Sequence, residues 1–188
     1  MIIKKTSLPG VLVLEPERHV DSRGFFLETW REDTLKRAGV EGHFVQDNHS
    51  RSRRGTLRGL HYQLTQPQGK LVRVARGVVF DVTVDVRQGS TTFGQWYGTT
   101  LDEENMRMMY IPPGFAHGFL VLSDIADFIY KCTDYYHPQS EQGILWNDPA
   151  IGIDWPIGDV QLSAKDSKNP LLQDQPPESL PQYIGTSS

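Results

Sequence analysis

The cleanest periodicity in the chain follows Gly77, where Val78, Phe80, Val82, Val84 and Val86 alternate with Val79, Asp81, Thr83 and Asp85. A period of two predicts a β-strand with one face in a core. The other face carries carboxylates, so Asp81 in mid-strand is either a half-exposed sheet residue or the orienting partner of a histidine. Further strands are expected at 11–14, 25–30, 57–62, 70–75, 93–101, 106–111 and 126–132, from their β-branched, aliphatic and aromatic content. Asp21-Ser22-Arg23-Gly24 is turn chemistry ahead of the aromatic strand, and Asp102-Glu103-Glu104-Asn105 reads as the turn of a hairpin joining 93–101 to 106–111. One early helix is predicted over 33–38, ended by Gly39. Residues 44–50 are extended and rich in amide and carboxyl groups, a run that either caps turns or reads a hydrogen-bonding ligand.

The stretch 56–73 breaks the pattern, because Arg58, His61 and Lys70 sit inside an apolar, strand-like frame. Leu57, Leu60 and Tyr62 read as one strand, Pro67 and Gly69 as a turn, and 70–75 as the returning strand, which gathers the three polar heads into one patch. Strict alternation would put Arg58 and His61 on opposite faces. Gly59 between them is where a bulge would re-aim one of them inward. The competing reading is a surface hairpin with solvated charges.

Downstream, Pro112-Pro113-Gly114-Phe115-Ala116-His117 delivers a histidine to the start of an apolar strand. The spacing Pro-x-Gly-x-x-His resembles the second motif of the cupin superfamily of jelly-roll barrels, in which this histidine points into the barrel. Metal-binding cupins pair it with a His-x-His and a glutamate; the corresponding run here is His61-Tyr62-Gln63. Two imidazoles without a carboxylate are a poor transition-metal set, since such sites generally take at least three protein ligands. In 126–132, Phe128, Tyr130 and Cys132 share one face, which turns Tyr130 inward, where a phenol ordinarily needs a hydrogen-bond partner.

Composition narrows the class. The 188 residues carry a formal net charge of -4 with 38% hydrophobic residues, as expected of one domain with a sizeable core, 1–188. Arginine and lysine are scattered, against a nucleic-acid surface. No apolar run reaches the roughly 18 residues of a membrane span, and the expectation is a cytoplasmic protein. The one cysteine, Cys132, excludes an internal disulfide. From residue 173 the proline-rich, polar composition predicts a loosely held tail with its last few residues disordered.

Taken together, the segments 21–26, 44–50, 57–63, 69–73, 93–96, 111–119, 144–148 and 162–166 closely resemble the dTDP-4-dehydrorhamnose 3,5-epimerases, with the resemblance spread over about residues 2–172. The resemblance implies an all-β, cupin-type jelly-roll barrel with a few short helices. It also implies a homodimer with part of the nucleotide site shared, no cofactor, no metal, and inversion of C3 and C5 in dTDP-4-dehydro-6-deoxy-D-glucose. By the same resemblance His61 is the base and Asp166 the carboxylate that fixes its tautomer. Lys70 is the electrophile at the C4 oxygen, and Tyr130 the acid on the opposite face. Arg23 and Arg58 match diphosphate-binding arginines; Phe25, Glu28, Gln46, Asp47, Asn48, Glu141 and Lys165 match contacts to nucleotide or sugar; His117 faces the sugar, and Tyr136 stacks on thymine. Three alternatives stand beside this reading: a single-position epimerase of another deoxysugar pathway, a metal-dependent cupin, and a non-catalytic nucleotide-sugar binder.

Overall fold

The structure is a computed structural model that describes residues 1–40 and 42–185. Its frame is two antiparallel sheets packed face to face, the all-β, cupin-like architecture expected. The first contains β1 (Ile2–Lys5), β2 (Leu12–Glu15), β5 (Gln46–Arg53), β7 (Lys70–Arg76), β10 (Met108–Ile111) and β12 (Ile125–Cys132), ordered β1-β2-β10-β7-β12-β5. The second contains β6 (Leu57–Gln63), β8 (Val78–Asp85), β9 (Trp96–Asp102), β11 (Phe115–Val121) and β13 (Glu141–Gly143), ordered β13-β6-β11-β8-β9. A separate two-stranded ribbon pairs β3 (Arg18–Asp21) with β4 (Gly24–Leu27).

Between the sheets lies one apolar cluster, drawn from Val72 and Val74 of the first sheet and Val79, Leu101, Phe115 and Phe119 of the second, with Phe128 stacked on Phe119 at 4.0 Å. The outer face of the first sheet packs Leu12, Leu14, Leu71, Met108 and Tyr110 under the short helix α1 (Glu32–Arg37), which contributes Leu35. The outer face of the second packs Val82, Val84 and Val86 against Ile144, Ile151, Leu172 and Leu180. β8 is therefore covered on both sides, and its alternation separates two interiors rather than core from solvent. Asp81 and Asp85 lie on the inner face with no exposed surface. Each is tolerated there because it is hydrogen-bonded: Asp85 by Arg87, Ser90 and Thr92, Asp81 by His117.

Two expected hairpins are corrected. β6 does not pair with β7, nor β9 with β10; each pair is split between the two sheets. The connections through Pro67 and Gly69, and through 103–107, carry the chain from one sheet to the other. Local turn chemistry marks a reversal but not which strand receives the returning segment. Arg58 and His61 therefore meet Lys70 across the interior rather than along a hairpin.

The bulge expected at Gly59 is present. His117 pairs with His61 and Phe119 with Arg58, so Gly59 and Leu60 together oppose Gly118 alone. That extra residue turns both Arg58 and His61 inward, which a regular strand cannot do at a spacing of three. Glycine is required at both crossing points. Gly59 has φ +112°, and a Cβ on it would come within 2.6 Å of the Gly118 Cα, while one on Gly118 would lie 2.7 Å from the Arg58 carbonyl oxygen.

The loosely held tail is also corrected for its described part. Leu180 is buried, the Tyr62 hydroxyl donates to the Ser179 carbonyl, Gln175 Nε2 donates to the Gly143 carbonyl at 2.7 Å, and Gln182 Nε2 donates to Gln88 Oε1. Polar residues predominate there because the segment lies along the surface and docks through scattered side chains. The final positions, 186–188, lie outside the described residues. No described helix is long and apolar enough to cross a membrane.

Candidate active site

A cavity of about 490 Å³ opens between the sheets and is lined by Arg58, His61, Lys70, His117, Tyr130, Lys165 and Asp166. The second sheet supplies His61 and Arg58 from β6 and His117 from β11. The facing sheet supplies Lys70 from β7 and Tyr130 from β12. The base expected from the sequence and the expected acid thus come from opposed walls.

His61 Nε2 lies 2.7 Å from Asp166 Oδ1, and the Asp166 side chain is only 5% exposed. The carboxylate reaches a strand about a hundred positions earlier because Gln161 bridges the start of β6: its N–H donates to the Gly55 carbonyl and its carbonyl accepts from the Leu57 N–H. Ser163 Oγ then accepts the Asp166 N–H, opening the 3₁₀ turn Asp166–Lys168. Burial alone would raise the Asp166 carboxyl, but hydrogen bonds from His61 and the Gly59 N–H and the attraction of His61 outweigh it and hold it below the ordinary aspartate range. In neutral His61 an Nε2–H donating to this carboxylate leaves the Nδ1 lone pair as the acceptor. Glu141 Oε1 stands 3.8 Å from that Nδ1.

His117 is held in the same manner by a different carboxylate, with Nε2 3.0 Å from both oxygens of Asp81 and its ring stacked near Phe128. Of the two readings open for Asp81, the orienting partner is the one observed. Burial raises the Asp81 carboxyl despite the pull of His117 and Lys70.

Lys70 is the register partner of Cys132 on β12. Burial pushes its ammonium below the ordinary lysine value, while Cys132, Glu141 and Asp81 pull it back. Burial also raises the Tyr130 phenol, which keeps it protonated at neutral pH. Among the described residues no side chain or backbone group is hydrogen-bonded to the Tyr130 hydroxyl, so its donor is available to a ligand. A core tyrosine would have spent it.

Arg58 enters from the bulge with Nε donating to Ser52 Oγ at 3.1 Å, which leaves both terminal nitrogens for an anion. At the mouth, Glu141 Oε2 accepts from the Lys165 ammonium in a close contact and from the Tyr136 hydroxyl at 3.2 Å. Gln46 and Asn48 point inward from β5, with Gln46 Oε1 accepting the Tyr136 N–H and Gln46 Nε2 donating to Asn48.

Four expected contacts are not brought to this cavity within one chain. Asp47 alternates to the outer face of β5 and pairs with Lys131, as the strand period dictates. Arg23 and Phe25 sit on the ribbon, where the Arg23 side chain is 88% exposed and paired with Asp21. Glu28 is exposed just after β4.

Sequence reading missed Ser50, Ser52 and Ser163. Ser50 Oγ is buried, lines the cavity and has no hydrogen-bond partner among the described residues. The signal was there in the period-two run Gln46, Asn48, Ser50, Ser52, a polar face incompatible with a packed core. For Ser163 no local signal exists, because its role depends on where the loop lands.

The family model described as dTDP-4-dehydrorhamnose 3,5-epimerase matches residues 5–174. The chain is 55% identical over 175 residues to the dTDP-4-dehydrorhamnose 3,5-epimerase of Salmonella typhimurium, covering 92% of this chain and 96% of that protein. A crystal structure of dTDP-6-deoxy-D-glucose-3,5-epimerase from Legionella pneumophila with dTDP-4-keto-L-rhamnose superposes with a TM-score of 0.96 at 53% identity, covering 98% and 99% of the two chains. A 3'-monoepimerase from Streptomyces bikiniensis in complex with dTDP-quinovose gives 0.84 at 38% identity, covering 89% and 86%.

Proposed function

The chain belongs to the dTDP-4-dehydrorhamnose 3,5-epimerase family, and we propose that it inverts C3 and C5 of dTDP-4-dehydro-6-deoxy-D-glucose by proton transfer between opposed walls of the cavity. The supporting observation is the placement of the Asp166-bound His61 on one sheet with Lys70 and Tyr130, whose hydroxyl has no hydrogen-bond partner among the described residues, on the other.

Both carbons flank the C4 ketone, whose oxygen takes up the charge when either proton leaves. His61 Nδ1 removes the proton, and Asp166 stabilises the imidazolium that results. A positioned base of this kind contributes about 10²–10⁴-fold in rate. The Lys70 ammonium faces the developing enolate in a partly dry interior, where a preorganised donor is worth roughly 3–4 kcal/mol. Tyr130 delivers a proton from the far side, which inverts the centre; the His61 imidazolium then gives its proton up to solvent and the phenolate takes one from solvent, which resets both groups for the next inversion. No step calls for a metal or a redox cofactor. Arg58 holds the diphosphate, while His117 contacts the sugar.

We further assign Arg23 and Phe25 to the nucleotide site of a second copy of the chain. The ribbon carries Val20, Phe25 and Phe26 at 63%, 55% and 70% exposure, more apolar surface than an isolated two-stranded element keeps in water. At substrate far below the raised KM of Arg23→Ala, where neither variant turns over appreciably, mixing Arg23→Ala with His61→Asn subunits should restore activity through hybrid dimers that contain one intact site; no recovery overturns the shared site.

The test of the reaction is product stereochemistry by NMR on the purified enzyme with dTDP-4-dehydro-6-deoxy-D-glucose. Inversion at both C3 and C5 is the expected result. Inversion at one centre alone would make the chain a monoepimerase, a reading kept in view by its likeness to the Streptomyces bikiniensis enzyme.

A further inference from the structure

Glu141 faces two ways. Its Oε2 holds the Lys165 ammonium and the Tyr136 hydroxyl at the cavity mouth, and its Oε1 stands 3.8 Å from His61 Nδ1, the nitrogen left free by Asp166. The side chain is 14% exposed, so its charge is weakly screened by water. We propose that Glu141 is a positioning residue that sets the basicity of His61, and that Lys165 masks it until an anionic ligand draws the ammonium away. This rests on His61 being the base.

The physical case is one of charge compensation. A carboxylate beside Nδ1 favours the proton-bearing imidazolium that forms when His61 abstracts a proton. With Lys165 in contact, that carboxylate is partly neutralised and its effect on the imidazole is blunted. Lys165 lines the cavity, and Glu141 is its only ion-pair partner among the described residues. A diphosphate entering past it competes directly with Glu141 for the ammonium. Losing Lys165 to the ligand leaves the full charge of Glu141 facing His61, so the base strengthens when substrate is in place.

The remaining charged groups around His61 do not duplicate this role. Asp166 from the loop at 162–166 is spent on Nε2. His117 from β11 is bound to Asp81 of β8. Arg58 of β6 and Lys70 of β7 are cations that oppose protonation of the imidazole, and Tyr130 of β12 and Tyr136 are neutral phenols whose ionisation burial disfavours. Among the described residues, Glu141 of β13 is the carboxylate paired with Nδ1.

The experiment is an NMR titration of the His61 imidazole in the resting enzyme, in wild type, Glu141→Gln and Lys165→Met, each with and without dTDP as a non-reacting ligand. We expect the His61 titration to move to lower pH in Glu141→Gln and to higher pH in Lys165→Met. Added dTDP should raise the wild-type value and leave Lys165→Met unmoved. In turnover, the acidic limb of kcat should move to lower pH in Glu141→Gln with a reduced plateau. Unchanged titration of His61 in both variants overturns the proposal, as does a Glu141→Gln effect confined to KM. Failure of the base assignment reads out separately: His61→Asn with wild-type turnover would remove the base while the titration still reports the charge coupling.

Discussion

His61 and His117 are direct register partners on adjacent strands, and each gives its Nε2 to a different buried carboxylate, Asp166 at 2.7 Å and Asp81 at 3.0 Å. The two pairs differ in what their ring leaves free. The His61 side chain keeps 26% of its surface open to the cavity with Nδ1 available, whereas that of His117 keeps 8% and packs beside Phe128. In the proposed reaction the first of these histidines moves a proton and the second holds a position.

Asp166→Asn should therefore act on turnover. An amide can still touch Nε2 but cannot stabilise the imidazolium, and its NH₂ can turn the imidazole to the wrong tautomer. We expect kcat to fall about 100-fold or more with substrate affinity nearly unchanged by calorimetric titration. Wild-type kcat would show that the carboxylate only packs.

The same carboxylate gives a pH dependence of stability. Its folded value lies below the ordinary one because hydrogen bonds outweigh burial, so its contribution is complete above an unfolded value of about pH 4. It is lost as the pH falls through the lowered folded value. Acid unfolding followed by circular dichroism should be steeper below about pH 4 in wild type than in Asp166→Asn. Parallel curves would contradict the assignment.

Arg58 and Ser52 should separate binding from chemistry. In the proposed reaction the arginine's terminal nitrogens hold the diphosphate, remote from the reacting carbons, so their energy is present in ground and transition states alike. Arg58→Ala should raise KM strongly with a smaller change in kcat. Ser52→Ala removes the hydrogen bond to Nε, worth about 0.5–1.5 kcal/mol, and should raise KM roughly 2–10-fold. Steady-state kinetics on both variants check this, and a kcat effect larger than the KM effect would refute it.

Gly59→Ala tests the bulge. The new Cβ meets backbone of β11 at 2.6 Å in a φ region that side chains avoid, and neither atom belongs to a flexible side chain. A loss of at least about 2 kcal/mol is expected, seen as a Tm lower by roughly 4–8 °C. Activity should fall further than stability explains, because Arg58 and His61 owe their common face to that residue.

Much of this was legible in the sequence, and the exceptions have physical causes. The alternation at 78–86 and the apolar run after His117 marked strands because a period of two survives any tertiary arrangement. Gly59 betrayed the bulge because Arg58 and His61 could not otherwise share a face. The partners of β6 and β7 were misread because nothing local in Pro67 and Gly69 says which sheet the chain enters next. The tail from 173 was misread because composition reports solvent exposure, whereas docking there depends on Leu180 and a few side-chain to backbone bonds. Glu141 beside Nδ1 was invisible because it is a distance, not a pattern.

Tyr130→Phe is the sharpest test of the opposed walls. Neither His61 nor Lys70 is altered, so the variant should still remove a proton and form the enolate. What it lacks is the proton delivered from the far side. His61 can only return a proton to the face it came from, and exchange of that proton with solvent replaces hydrogen by deuterium without inversion. Incubated in D₂O and followed at C3 and C5 by NMR and mass, wild type should show inversion and deuterium together. The variant should show deuterium with inversion slowed by about 10²-fold or more. Phenylalanine keeps the ring packed near Phe128 at 6.0 Å, so loss of fold is not the expected outcome. If the variant inverts at the wild-type rate, or loses exchange as completely as inversion, Tyr130 is not the acid, and its unpartnered hydroxyl serves another purpose.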